Sequence, residues 1–166
     1  MSRLQRIWRH LVATRGSVAR AFSTTTLDAI EQAINASELT HSAEIRFVLE
    51  PALTAGELRA GATPRARALQ LFASLAVWDT QFNNGVLVYV LFADHAIEIV
   101  ADRGFSARVE AADWRALCAT AEDEYRAGRF EAGSVRMIEQ LGALAARHFP
   151  PQSRDIDELP NTPLIL

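Results

Sequence analysis

Residues 83–104 read NNGVLVYVLFADHAIEIVADRG, two apolar runs separated by a short polar turn and flanked by polar residues. The first run, Val86 to Phe92, is apolar at every position, as in a strand that helices cover on both faces. The second run, 95–101, alternates apolar and polar residues, as in a strand with one face toward solvent. The pattern predicts an antiparallel hairpin whose polar ends meet at one edge of a sheet.

The segments around the hairpin predict an α/β fold. Residues 43–50 alternate in polarity and end at a proline, which indicates a strand. Residues 64–78 begin with proline and carry an amphipathic pattern, which indicates a helix that crosses over to the Val86 run. Strands joined in this way run parallel. We therefore predict a three-layer α/β/α sandwich with a small mixed sheet, a β-α-β-hairpin core, and further helices at 27–39, 111–127 and 130–149.

Composition and the positions of turn-forming residues predict three parts of the 166-residue chain. These are a basic amphipathic helix at 1–22, an α/β/α domain at 23–150 and an extended, loosely held tail at 151–166. The single Cys118 excludes an internal disulfide, and the four scattered histidines have no zinc-ligand spacing. No Gly-rich phosphate loop is present, so we predict no organic cofactor. No apolar window is long enough to span a membrane.

Charge is distributed unevenly along the chain. Residues 1–27 hold five arginines and no acid, a charge of +5, whereas the remainder holds twelve arginines and twenty acids, a charge of −8. The acidic body is a poor surface for nucleic acid, so we predict no nucleic-acid partner.

The N-terminal segment 1–22 has the pattern of a basic amphipathic helix. Its apolar stripe is expected to pack on the domain or on a second copy of the chain, with binding to a membrane surface as the first alternative. A mitochondrial transit peptide is a third interpretation, for a eukaryotic source. The stripe consists of Leu4, Ile7, Trp8 and Leu11, and the residues predicted to dock on a partner or membrane are Arg3, Arg6, Trp8 and Arg9.

The expected location follows from these observations. The composition predicts a cytoplasmic protein, with peripheral membrane or mitochondrial location as the alternatives. A protein partner is expected, although the residues do not identify it.

The predicted topology brings several polar residues to one end of the sheet. Glu44 precedes the first strand, Asn84 precedes the second, and Asp102 and Arg103 follow the third, while Asp79 lies nearby in the chain. Carboxylate and amide oxygens suit Ca²⁺ or Mg²⁺, so Glu44, Asp102, Asn84 and Asp79 are the predicted metal ligands. Arg103 is the predicted anion-binding residue. The alternative is ordinary turn chemistry with a Glu44–Arg103 surface ion pair.

Several motifs resemble those of the TPM domain family. HSAEIRFVLE at 41–50 resembles its first strand, and NGVLVY at 84–89 with VADRG at 100–104 resembles its central hairpin. AGRFEAG at 127–133 resembles the loop that opens its last helix, and DELP at 157–160 resembles the tail of its short members. The similarity runs from about residue 27 to residue 160.

The resemblance implies an α/β/α sandwich with a crevice that binds divalent cations in some members. It also implies either an accessory role or, as the alternative, a weak acid phosphatase. In a metal-assisted phosphatase, we expect Glu44 and Asp102 to hold the metal, Asn84 to support them and Arg103 to steady phosphate. Two departures weaken the expectation of a metal site. Residues 23–26 (STTT) replace an Asp-rich segment of longer members, and Ala43 replaces the usual glycine before Glu44.

Overall fold

The computed structural model describes residues 3–152 and 156–166, within which eight helices surround an open four-stranded sheet. The strands are Ile45–Glu50 (β1), Val86–Leu91 (β2), Ala96–Ala101 (β3) and Leu164–Ile165 (β4). The helices are Arg3–Val12 (α1), Arg15–Ala21 (α2), Thr24–Glu38 (α3), Ala55–Arg59 (α4), Pro64–Ser74 (α5), Arg103–Ser106 (α6), Ala111–Arg126 (α7) and Phe130–His148 (α8).

The sheet is mixed and has the order β3-β2-β1-β4. β1 and β2 are parallel, with Ile45 opposite Val86, and β3 returns antiparallel to β2, with Ala101 opposite Val86. The starts of β1 and β2 and the end of β3 therefore lie at one end of the sheet. The predicted hairpin and the predicted parallel crossover are both confirmed.

Helices cover both faces of the sheet, which explains why β1 and β2 are buried along their whole length. On one face, Phe47 and Val88 pack in the same core as residues of α3 and α8. On the other face, Leu87 and Tyr89 pack with residues of α5 and with Leu159 of the tail. The predicted three-layer α/β/α architecture is confirmed.

Helix boundaries follow local capping chemistry. α3 begins after Ser23, whose hydroxyl accepts a hydrogen bond from the Thr26 backbone N–H at 3.2 Å, so the predicted start was a few residues late. α5 begins at Pro64 as predicted. It ends at Ser74, earlier than predicted, because the chain turns through Ala76 with φ of 53°.

The N-terminal segment forms two helices, because Thr14 caps a second helix with its side chain. α1 contacts the domain, but the predicted packing of its apolar stripe on the domain is wrong. Leu4, Trp8 and Leu11 are exposed, and only Ile7 is half-buried. The side chain of Arg3 lies outside the described part of the structure. Within residues 3–152 and 156–166, every helix is too short or too polar to span a lipid bilayer.

The tail from residue 156 onward returns to the sheet, which sequence patterns did not predict. β4 pairs in parallel with β1, and the Leu166 backbone N–H donates to the Leu49 carbonyl at 3.1 Å. Leu159 is buried. The expectation of a loosely held tail is therefore wrong for residues 156–166.

Candidate metal centre

The candidate site lies at the end of the sheet where β1 and β2 begin. Glu44 directly precedes β1, and its carbonyl accepts a hydrogen bond from the Val86 backbone N–H at 2.8 Å. A crevice of about 260 Å³ opens beside it, between the last turn of α3 and the returning tail. Its lining residues are Asn35, Glu38, Leu39, His41, Glu44, Asp157 and Asn161.

Three carboxylates meet in this crevice. One oxygen from each of Glu38, Glu44 and Asp157 lies within 4.8 Å of the others. Glu44 is buried, Glu38 is half-buried and Asp157 is exposed, so the cluster is open on the side of the tail. We refer to Glu38, Glu44 and Asp157 as the carboxylate cluster.

The surroundings of Glu38 disfavour a negative charge on its carboxyl group. Burial raises the pKa of Glu38 from its ordinary 4.5 to about 8, and the neighbouring Glu44 adds to the increase. A hydrogen bond from the Ile45 backbone N–H to Glu38 Oε1, at 2.9 Å, acts in the opposite direction. An acid in the last turn of a helix also opposes the helix dipole.

The pKa of the Glu44 carboxyl group is raised as well. Burial raises its pKa from 4.5 to about 7, with Asp157 and Glu158 contributing through charge repulsion. Glu44 Oε2 accepts hydrogen bonds from the backbone N–H groups of Glu158 and Leu159, at 3.2 and 3.1 Å, which lower the pKa in part. Within the described residues Glu44 Oε1 receives no hydrogen bond, so this oxygen is available to a ligand.

His41 lines the crevice but its two ring nitrogens are already engaged. The Ala43 backbone N–H donates to Nδ1 at 3.2 Å, which leaves the proton on Nε2 to donate to Ser37 Oγ at 2.8 Å. Burial lowers the pKa of His41 below its ordinary 6.5. His41 is therefore a neutral structural residue that fixes the loop between α3 and β1.

The tail carries Asp157 into the crevice and is held on both sides of it. Arg46 Nη1 donates to the carbonyls of Pro160 and Thr162, at 2.6 and 2.7 Å. Asn161 Nδ2 donates to Asn35 Oδ1 at 2.8 Å, which joins the tail to α3. Asn161 lines the crevice, and its Oδ1 is buried without a hydrogen-bond partner among the described residues.

The other predicted ligands adjacent to the hairpin lie at the same sheet end but outside the carboxylate cluster. Asn84 is buried, and its amide donates to the Ser42 carbonyl. One Asp102 oxygen accepts from the Arg103 backbone N–H at 2.7 Å and caps α6. The remaining oxygens, Asn84 Oδ1 and Asp102 Oδ2, are buried without a partner among the described residues.

Asp79 and Arg103 are not brought into the cluster. Asp79 is exposed in the turn after α5. Arg103 Nε donates to Asn83 Oδ1 at 2.8 Å on the surface. The anion-binding role of Arg103 stays a prediction, because Arg103 is not among the residues that line the crevice.

Sequence reasoning missed two members of the carboxylate cluster, Glu38 and Asp157. An acid in the last turn of a helix was a signal for Glu38, because that position disfavours negative charge unless a ligand or donor compensates it. Asp157 had no local signal, since its placement depends on the tail returning to β1.

Comparison with known proteins agrees with this architecture. The profile of the TPM domain matches residues 17–144, which is most of the chain. The chain belongs to the TPM domain family. The solved NMR structure of the BA42 protein from the psychrophilic bacterium Bizionia argentinensis is similar to this TPM domain, with a TM-score of 0.76 and 32% sequence identity. The similarity covers 87% of this chain and 94% of the BA42 chain. No curated protein matches the sequence.

Proposed function

We propose that this TPM domain is a non-enzymatic accessory module that binds a divalent cation, Ca²⁺ or Mg²⁺, in the crevice of the carboxylate cluster. The observation that carries the proposal is the approach of Glu38, Glu44 and Asp157 oxygens to within 4.8 Å of one another. Hard cations prefer such oxygen ligands, and Asn161 Oδ1 adds an unpartnered amide oxygen to the set.

The residues present fit a cation on electrostatic grounds. Burial raises the pKa values of Glu38 and Glu44, so the protein alone disfavours negative charge on both carboxyl groups. A bound cation would supply the opposite charge, so that both groups ionise and Asp157 is held beside them. Glu38 and Glu44 are positioned by backbone N–H groups, which leaves the second oxygen of Glu44 for the ion.

The crevice lining favours binding over phosphate-ester hydrolysis. Among the residues that the structure describes, the lining includes no arginine, and the nitrogens of His41 are both engaged in structural hydrogen bonds. Phosphoryl transfer usually needs positive groups on the transferred phosphate and a group that activates the nucleophile. A cation here would instead fix the tail against α3 and shape a surface for a protein partner.

Calcium titration followed by ¹⁵N NMR tests the proposal. We expect the backbone amides of Glu44, Ile45 and Leu159 to shift on addition of Ca²⁺, because they adjoin the proposed ligands. Glu44→Gln and Asp157→Asn should each weaken binding by at least about tenfold, since each removes a charged ligand. Glu139→Gln, which neutralises an exposed acid of α8, is the matched control and should bind like the original chain.

A second pair of variants separates the carboxylate cluster from the ligands predicted from sequence. Asp102→Asn and Asn84→Ala should leave the Glu44 shifts in place if the cation sits in the crevice. If these two variants abolish binding while Asp157→Asn does not, the proposed location is wrong. If Ca²⁺ and Mg²⁺ shift none of these amides, the cation-binding proposal fails altogether.

A further inference from the structure

α1 is attached to the domain by its polar residues, which is the reverse of the usual orientation of an amphipathic helix. Arg6 Nε donates to both carboxylate oxygens of Asp94, at 3.2 and 3.0 Å, and Arg6 Nη2 donates to the Ala62 carbonyl at 2.9 Å. His10 is buried between the Leu53 backbone N–H, which donates to its Nδ1 at 2.9 Å, and Asp94 Oδ1, which accepts from its Nε2 at 3.1 Å. These contacts determine which face of α1 is turned toward the domain.

The outward face of α1 is consequently apolar. Leu4, Trp8, Leu11 and Val12 follow one another at helical spacing and have exposed fractions of 79%, 66%, 68% and 50%. Exposed apolar side chains that occur singly are ordinary, but a continuous stripe of this kind marks a surface that something covers. We call these four residues the outer stripe.

The charges around the outer stripe indicate what covers it. Residues 1–27 contain no acid, and Arg15 and Arg20 are exposed on the helix that follows. An anionic lipid surface offers both an apolar layer for the stripe and negative headgroups for the arginines. A second copy of the chain fits less well, because a contact through the two stripes would bring together two basic segments that contain no acid.

We infer that the outer stripe of α1, with the arginines of α2, docks the TPM domain on anionic lipid membranes. α1 lies along the membrane surface, with Leu4 and Leu11 entering the acyl boundary and Trp8 at the level of the headgroups. Arg6 and His10 stay on the domain and hold the helix in this orientation. The inference is independent of the carboxylate cluster, which lies in a different part of the fold.

Vesicle co-sedimentation of the full chain tests the inference. We expect binding to phosphatidylcholine vesicles that contain about one third phosphatidylglycerol, and much weaker binding to pure phosphatidylcholine vesicles or at high salt. The Trp8→Glu/Leu11→Glu variant should lose at least about tenfold in partitioning, because two large side chains no longer leave water. Arg15→Gln/Arg20→Gln should lose a similar factor on anionic vesicles only.

The control for the charge inserted at a tryptophan is Trp78→Glu, since Trp78 is 52% exposed on another part of the domain. It should bind vesicles like the original chain. Equal binding to neutral and anionic vesicles, or full binding by Trp8→Glu/Leu11→Glu, would overturn the inference. A dimer in light scattering that this double variant converts to a monomer would also overturn it, because a second copy would then be what covers the outer stripe.

Discussion

The Glu38 carboxylate accepts a hydrogen bond from the backbone N–H of Ile45 at 2.9 Å, which joins the last turn of α3 to the first residue of β1. The bond holds Glu38 beside Glu44, so that two carboxylates face one crevice from adjacent elements. Burial raises the pKa of both groups despite their backbone donors. The geometry of the loop between α3 and β1 therefore creates the electrostatic character of the site.

The first prediction concerns pH. The folded-state pKa values of Glu38 and Glu44, about 8 and about 7, exceed the ordinary 4.5 of the unfolded chain. Between these values the folded state binds more protons than the unfolded state, so the free energy of unfolding should fall as pH rises through this range. The contribution of Glu38 and Glu44 should therefore give a lower Tm at pH 8 than at pH 5, as measured by thermal unfolding in the presence of a metal chelator.

The variant Glu38→Gln/Glu44→Gln isolates this effect, because it removes both titrations. Its Tm should depend less on pH than the Tm of the original chain. Ca²⁺ should raise the Tm of the original chain more at pH 8 than at pH 5, since protonated carboxyl groups compete with the ion. Parallel pH profiles for the two proteins would contradict the prediction.

The second prediction concerns Gly142, where α8 approaches α3 closely. A Cβ atom at Gly142 would lie 2.0 Å from Ser37 Oγ and 3.3 Å from His41 Nε2. Gly142→Ala should therefore lower the free energy of unfolding by about 1–3 kcal/mol through overpacking. Urea unfolding measures the loss, and Gly16→Ala, whose Cβ would meet only Thr14 Oγ1 at 3.6 Å, should be neutral or slightly stabilising.

Ser37→Ala gives this prediction a second test. It removes the hydroxyl that accepts from His41, so alone it should destabilise the domain. Combined with Gly142→Ala it also removes the nearest obstructing atom. The two losses in the free energy of unfolding should then be less than additive. Strict additivity would mean that Gly142→Ala destabilises the domain through contacts other than the one with Ser37.

Much of the fold could be predicted because its signals are local. The apolar run of β2, the alternation in β1 and the proline at the start of α5 act within a few residues, and together they determine the parallel crossover. β4 is two residues long and has no such pattern. It forms because Arg46 and the edge of β1 offer partners to a tail more than 100 residues away in the chain.

The site was predicted in part for the same reason. Strand directions placed Glu44, Asn84 and Asp102 at one end of the sheet, as the register of β1, β2 and β3 now shows. They could not place Asp157, because its position depends on the returning tail. In α1, periodicity identified the residues that share a face, but the buried partner Asp94 determined which face turned inward.

The third prediction concerns the ion pair between the buried Glu50 and the half-buried Arg67. Arg67 donates to both Glu50 oxygens at 2.9 and 2.8 Å, and the Tyr89 hydroxyl donates to Glu50 Oε2 at 2.6 Å. Arg67→Met leaves a buried carboxylate without its counter-ion, so we expect a loss of about 3 kcal/mol in urea unfolding. Tyr89→Phe should lose about 1–2 kcal/mol.

The matched control is Arg126→Met, because Arg126 pairs with Glu122 and Asp123 on the surface and its side chain is 61% exposed. It should change the free energy of unfolding by less than about 0.5 kcal/mol. Glu50→Gln/Arg67→Met should recover part of the loss of Arg67→Met. If Arg67→Met were as stable as the original chain, solvent would have to reach the Glu50 carboxylate.

The fourth prediction concerns the attachment of α1 through Asp94. Asp94→Asn removes the charge and one acceptor shared by Arg6 and His10, so α1 should open locally more often. Val18 and Phe22 keep α2 in the core, so global unfolding should change little. Amide exchange of residues 8–12 should accelerate about tenfold, which corresponds to a loss of about 1–2 kcal/mol in the local contact. Glu98→Gln is the control, because Glu98 lies in β3 and pairs with the half-exposed Arg65 at 3.6 Å. Unchanged exchange in Asp94→Asn would mean that apolar packing of Ile7, and not the ion pair, holds α1 with its outer stripe toward solvent.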